Sequence, residues 1–80
     1  MITGAQIRAA RSAIGWSAEK LAAEACVGMR TIMRFEKVDS VPPSRSSTLM
    51  DVKRALESAG IEFIGAPDNA PGIRIHAREP

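Results

Sequence analysis

Residues 16–36 have the sequence WSAEKLAAEACVGMRTIMRFE, which predicts two short helices joined by a tight turn. Ser17 occupies the position of an N-cap, and the apolar residues after it follow at helical spacing. The pattern breaks at residues 26–28. A second helix then begins, and its apolar side carries Ile32 and Phe35.

The second helix directs four other side chains outward, and these are Met29, Arg30, Met33 and Arg34. In a helix-turn-helix, the second helix enters the major groove of DNA and its first turns face the base edges. We therefore predict that these four residues contact bases. Arginine can bond guanine O6 and N7 together, so Arg30 is the leading candidate, while Arg34 contacts either a base or a phosphate.

The composition predicts one small folded protein. Its 80 residues are 45% hydrophobic, which argues against a disordered chain. A single cysteine excludes an internal disulfide and fits a reducing cytosol. No run approaches the roughly 20 apolar residues that span a membrane, and no signal peptide is visible. We expect a soluble, cytoplasmic protein without membrane association.

Positive charge is concentrated in the middle of the chain. The formal net charge is +2, but residues 27–54 hold six lysines and arginines against three carboxylates, a sum of +3. This placement suits a phosphate backbone, because neutralised phosphates release counterions. The predicted phosphate-contacting residues are Ser17, Lys37, Ser44, Arg45, Ser46 and Ser47.

A first helix and a loop flank the predicted pair of helices. Thr3 is placed to cap a helix over residues 4–14, and Gly15 is placed to end it. Two prolines and several serines break all periodicity across residues 38–47. This stretch is predicted to be an exposed loop.

A fourth helix and two strands are predicted to complete the chain. Thr48 and Asp51 form a capping-box-like start for a helix that stops at Gly60. Residues 61–64 and 73–76 then alternate apolar and polar side chains, which predicts a β-hairpin. An isolated hairpin is marginally stable in water, so it must pack on the helices or extend its sheet with a second copy. We favour the second, as a dimerisation device.

Several short motifs occur together in the order of a known family. They are the stretch from Ile7 to Arg11, Gly15-Trp16-Ser17, Leu21-Ala22, Ala25-Cys26-Val27, Arg30-Thr31-Ile32 and Arg34-Phe35-Glu36. With them, residues 3–60 resemble the Cro and lambda-repressor type of helix-turn-helix proteins, also called the xenobiotic response element family. Its members are small bacterial and phage transcriptional regulators.

The resemblance implies a mainly α fold with a four-helix lambda-repressor-like domain over residues 1–60. The β-strand tail predicted from the alternating pattern follows over residues 61–80. It also implies a homodimer on a two-fold symmetric operator in double-stranded DNA. Within each subunit it implies an ion pair between Arg11 and Glu36 that joins the first and third helices. An arginine fork matches a carboxylate in this way.

The chain departs from the family pattern at several positions. Ala18 replaces a glutamine that contacts phosphate or supports base recognition. Cys26 replaces a glycine in the turn, where a left-handed backbone is easiest without Cβ. Gly28 replaces a serine or threonine cap, and the strand-forming tail replaces the family's last helix.

Some residues have two interpretations. Met29 and Met33 either pack on thymine methyl groups, or one of them fills the core. Trp16 and Phe35 are expected in the core, and Cys26 as a small buried hydrophobe. His76 is expected to be exposed. No catalytic group, metal site or cofactor site is predicted, and we expect no enzyme.

The leading hypothesis is a homodimeric, sequence-specific DNA-binding regulator of transcription, acting as a repressor or autoregulator. Two alternatives remain. One is an antitoxin whose tail binds a toxin while the helices bind the promoter. The other is a protein-interaction adaptor that has lost DNA binding, which Ala18, Met29 and Met33 favour because apolar residues on this face suit a protein groove.

Overall fold

The computed structural model describes residues 1–76, which form four helices followed by an antiparallel pair of strands. The elements are α1 (Gly4–Ala13), α2 (Ala18–Ala25), α3 (Met29–Glu36), α4 (Ser46–Ser58), β1 (Ile61–Ala66) and β2 (Asn69–Ile75). The predicted mainly helical class with a C-terminal strand pair is confirmed. The last four residues of the predicted tail, 77–80, lie outside the described residues. Within residues 1–76, no helix is long and apolar enough to cross a bilayer.

Helix α1 begins where the sequence predicts and ends at Ala13, one residue before the predicted end. Thr3 Oγ1 accepts a hydrogen bond from the Gln6 amide at 3.1 Å, and Gln6 Oε1 accepts one from the Thr3 amide at 2.8 Å. This reciprocal capping box satisfies two amides that have no partner within the helix. After the C-cap residue Ile14, Gly15 adopts φ +72°, a left-handed conformation that glycine adopts without strain.

The turn between α2 and α3 is short and left-handed. Ser17 caps α2, its Oγ accepting from the Lys20 amide at 3.0 Å. Cys26 ends α2 with φ 58° and ψ 41°, the conformation expected where the family has glycine. The expectation that Cys26 is buried is wrong, because its side chain is exposed. The next residue, Val27, packs against the core in its place.

Helix α4 begins three residues earlier than predicted. Its first residue is Ser46 and its N-cap is Arg45, so Thr48 lies inside the first turn rather than at the cap. The Leu49 amide donates to the Arg45 carbonyl at 3.2 Å, which closes the first helical turn. Serine is tolerated in a first turn, since the amides there need no partner within the helix. Ser46 and Ser47 therefore belong to the helix and not to the loop.

A single cluster of buried apolar residues joins the four helices to β1. Its members are Ile2, Ile7, Ala10, Leu21, Ala22, Ala25, Ile32, Phe35, Leu49, Val52, Leu56 and Ile61. Phe35 is fully buried and Trp16 is partly buried against the cluster, as predicted. The core thus lies between α1, α2, α3 and α4, and it fixes which side of each helix faces solvent.

The hairpin packs on the helices. Phe63 pairs with Ile73 across the two strands, and both side chains lie against the core cluster. From α1, Gln6 Nε2 donates to the carbonyl oxygens of Ile64 at 3.2 Å and Gly72 at 2.8 Å. These contacts show that the hairpin packs on the helices of its own chain, the alternative that the sequence analysis did not favour. A role for the hairpin in dimerisation stays a prediction.

Candidate nucleic-acid interface

Helix α3 has a sharply divided surface. Ile32 and Phe35 are fully buried, whereas the opposite side is exposed. We call this exposed side the α3 outer face; it consists of Met29, Arg30, Met33, Arg34 and Lys37. All four predicted base-contacting residues therefore lie on one surface, as their spacing predicts.

The α3 outer face has a charged centre and an apolar flank. At 3.6 residues per turn, Arg30 and Lys37 project most directly away from the core, and Arg34 lies to one side of them. Met29 and Met33 form a row one helical turn apart at the side, and they are 46% and 50% exposed. The possibility that one of the methionines fills the core is thereby removed. The Arg34 guanidinium carbon also lies 5.7 Å from the centre of the Phe35 ring.

Two arginines of α1 hold the C-terminal end of α3. Arg11 Nε and Nη2 donate to the two carboxylate oxygens of Glu36 at 2.8 and 2.9 Å, so the pair implied by the resemblance is present. These hydrogen bonds raise the pKa of Arg11. Arg8 donates to the Glu36 carbonyl oxygen and to the Asp39 carboxylate. Contacts at two points of this segment determine the direction in which α3 presents its outer face.

Arg8 was not predicted as part of this arrangement. Its position three residues before Arg11 places it on a neighbouring part of the same side of α1. That spacing is the only signal for it in the sequence, because its partners are the carbonyl of Glu36 and the carboxylate of Asp39, about 30 residues away. Its effect is to neutralise Asp39 beside the end of α3.

The ion pairs engage the carboxylates of α3, α4 and the loop between them and leave several lysines and arginines of this segment unpaired. All three carboxylates of residues 27–54 are paired: Glu36 with Arg11, Asp39 with Arg8, and Asp51 with Arg54 at 4.0 Å. Within residues 1–76, the lysine and arginine side chains that have no carboxylate partner are Arg30, Arg34, Lys37, Arg45 and Lys53. All of them come from the basic segment identified in the sequence.

The predicted phosphate-contacting residues fall into three places. Lys37 belongs to the α3 outer face, and Ser17 caps α2, whose first turn also carries Glu19. The others lie at the start of α4, where Ser44 Oγ donates to the Arg45 carbonyl at 3.1 Å and Ser44, Arg45, Ser46 and Ser47 are exposed. The first turn of α4 has no acidic residue and no side-chain cap. Its free amides, hydroxyls and Arg45 suit an anion, whereas Glu19 makes the start of α2 less favourable.

The one histidine is exposed, as predicted, and belongs to the hairpin surface. His76 Nε2 lies 2.7 Å from Glu62 Oε1, and Arg74 Nη1 lies 3.3 Å from the same oxygen. In the part of the chain that the structure describes, no three histidine, cysteine or acidic side chains come together as metal ligands.

Comparison with known proteins adds no assignment. No family model matches the chain, and no curated protein is significantly similar to it. Function is therefore inferred from the geometry and charge of the residues described above.

Proposed function

We propose that this protein is a sequence-specific DNA-binding regulator of transcription of the Cro and lambda-repressor type. Helices α2 and α3 are the two helices of its helix-turn-helix, and α3 enters the major groove. Two copies bind a two-fold symmetric operator in the cytoplasm, where the protein acts as a repressor or autoregulator.

The distribution of unpaired cations carries this proposal. An exposed arginine or lysine on an ordinary surface often has a nearby carboxylate, as Lys20, Arg54 and Arg74 do here. On α3 the carboxylate of Glu36 is instead engaged by Arg11 of α1, and the first turn of α4 has no acidic residue. Such a one-sided surface attracts a polyanion, because each phosphate contact releases counterions.

The shape of α3 supports its entry into the groove. Its N-cap, Gly28, has no side chain, and a Cβ placed there would meet only Thr31 Oγ1, at 4.0 Å. The first turn, which carries Arg30, can therefore approach a base edge or a phosphate without obstruction. From this position Arg30 donates to both O6 and N7 of a guanine. Arg34, one helical turn later, contacts a base or a phosphate. Lys37, Arg45, Ser46 and Ser47 contact the phosphates that flank the groove.

Dimerisation is assigned to the hairpin. Ile75 is 58% exposed although its cross-strand partner Ile61 is buried, so β2 carries an apolar side chain that residues 1–76 leave exposed. A second copy packed here would cover it. Half-sites separated by roughly 34 Å place the two α3 helices in successive major grooves on one side of the DNA.

Selection from a pool of random duplexes tests the proposal. The purified protein is expected to enrich a motif with two-fold symmetry, and its mass in solution is expected to be that of a dimer. The Arg30→Ala/Arg34→Ala variant should enrich no motif. Arg54→Ala is the matched control, since it removes an exposed arginine of α4 that is paired with Asp51 and lies outside the hairpin and the α3 outer face, and it should enrich the same motif as the parent.

The second candidate is an interaction module, either an adaptor or an antitoxin bound to a toxin. The exposure of Met29 and Met33 favours it, because apolar side chains on a helix face also suit a protein groove. If no duplex is enriched at low ionic strength, the DNA-binding proposal fails and this candidate takes its place.

A further inference from the structure

We infer that Met29 and Met33 recognise the 5-methyl groups of pyrimidines in the major groove. The inference rests on the proposed function, and it names the chemical group that the flank of the α3 outer face selects. Such a site distinguishes thymine from uracil, and 5-methylcytosine from cytosine, by the same contact.

The first reason is the exposure of two apolar side chains at helical spacing. Met29 and Met33 are about half exposed and lie one turn apart, so they form a continuous apolar row. Neither contributes to the core cluster. An apolar row of this kind is stabilised when an apolar group covers it.

The second reason is the charge beside this row. Arg30, Arg34 and Lys37 adjoin the two methionines and have no carboxylate partner within residues 1–76. An apolar protein groove would have to remove these three charges from water, which is costly. DNA satisfies both halves of the face, because phosphates and guanine acceptors take the cations while the groove also displays an apolar group.

That apolar group is the methyl group at pyrimidine C5. Among the substituents that the four bases show in the major groove, the thymine methyl is apolar, and the others are hydrogen-bond donors or acceptors. A methionine thioether is flexible and polarisable, so it packs readily against a small apolar group. A cytosine methylated at C5 shows the same group at the same place.

The spacing predicts how the contacts are arranged. Four residues of helix separate the two methionines by roughly 6 Å along the axis, and base pairs rise by roughly 3.4 Å. The two methyl groups therefore lie about two base pairs apart. Arg30 lies three residues before Met33 and is its neighbour on the helix surface, so the methyl contact of Met33 is expected beside the contact of Arg30 to guanine.

The experiment measures binding to the selected duplex after deoxyuridine replaces thymidine at one position at a time. Removing a contacted methyl group should weaken binding about threefold to fivefold. Two such positions are expected in each half-site. In Met29→Ala the difference between thymine and uracil should vanish at one of them, and in Met33→Ala at the other.

Met50→Ala is the matched control. Met50 is 48% exposed on α4, outside the α3 outer face, so this variant should retain the full discrimination between thymine and uracil at both positions. A further arm places cytosine or 5-methylcytosine at each position. The parent protein should bind the methylated duplex more tightly than the unmethylated one. The corresponding methionine variant should bind the two duplexes with equal affinity.

The outcomes separate the inference from the function on which it rests. If the protein binds selectively but its affinity does not change when any thymine methyl group is removed, the inference is overturned and the proposed function remains intact. If both methionine variants still distinguish thymine from uracil, other residues make the methyl contact and the inference is also overturned. Failure to bind any duplex selectively overturns both.

Discussion

Arg11 and Glu36 form a two-point ion pair between α1 and the end of α3, with N–O distances of 2.8 and 2.9 Å. The Arg11 side chain is 23% exposed and that of Glu36 is 10% exposed, so water screens the pair only partly. Arg11 Nη1 also donates to the Trp16 carbonyl at 3.0 Å. One guanidinium thus connects α1, the start of the α2 segment and α3.

Loss of this guanidinium should destabilise the fold. Arg11→Met is expected to lower the free energy of unfolding by about 2 kcal/mol, because it leaves Glu36 and the Trp16 carbonyl without their donors. Arg54→Met is the control, since Arg54 is exposed and lies 4.0 Å from Asp51, and it should change the value by under about 0.5 kcal/mol. Urea denaturation measures both, and equal losses would contradict the assigned role of Arg11.

Substitution of Cys26 by glycine should stabilise the turn between α2 and α3. The left-handed conformation of Cys26 costs an L-residue about 1 to 2 kcal/mol, part of which is offset by the greater freedom of unfolded glycine. We expect Cys26→Gly to raise the free energy of unfolding by about 0.5 to 1 kcal/mol. Ala23→Gly, within α2, should lower it by about 1 kcal/mol. A loss of stability in both variants would show that the turn is not strained.

Glu62, on the hairpin surface, should ionise at a lower pH than an ordinary glutamate. The hydrogen bond from His76 is the largest effect and lowers the pKa of Glu62 below 4.5. Desolvation is the next largest and opposes it, and the charge of Arg74 lowers the pKa further. Because the pKa is lower in the folded state, the ionised carboxylate stabilises the fold above the unfolded-state pKa. That contribution is lost as the pH falls through the folded-state value.

Nuclear magnetic resonance titration of the Glu62 carboxyl carbon checks the direction and the cause of this pKa shift. The midpoint should lie below 4.5 in the parent protein. It should rise in His76→Ala by more than it rises in Arg74→Ala. A midpoint that does not respond to His76→Ala would remove the hydrogen bond as the cause.

Two arginines should differ in how they contribute to DNA binding. Arg30→Ala is expected to cost about 1 to 3 kcal/mol and to relax preference at one base pair. Arg45→Ala should weaken binding to all sequences alike and reduce the slope of log K against log salt by about 1. Titration of specific and random duplexes over a salt series measures both effects. A loss for Arg30→Ala that is equal on all sequences would assign Arg30 to the phosphate backbone.

The helices could be predicted from sequence because their signals are local. Thr3 and Ser17 cap the helices that they were expected to cap, and the spacing of Ile32 and Phe35 identified the buried side of α3. The start of α4 was placed wrongly at Thr48, because serines at positions 46 and 47 are compatible with both a loop and a first helical turn. Tertiary contacts decide whether such serines lie in a loop or in the first turn of a helix.

Close approaches between distant segments left no signal in the sequence. A side chain at Gly4 would overlap the carbonyl oxygens of Phe35 and Val38, and the Gly4 amide donates to the Ser40 carbonyl at 2.9 Å. The loop after α3 therefore packs on the first turn of α1. Nothing in the composition of either segment indicates this contact.

The sequence by itself determined the order of the elements, the turn at Cys26 and the side of α3 that carries two arginines and two methionines. These follow from backbone preferences and from apolar spacing within a few residues. Only the tertiary structure decided that both methionines stay in solvent, that α1 neutralises Glu36 and Asp39, and that Gln6 holds the hairpin. Those outcomes depend on which surfaces meet when the core closes, and contacts between residues far apart in the chain are set by the packing of the whole molecule.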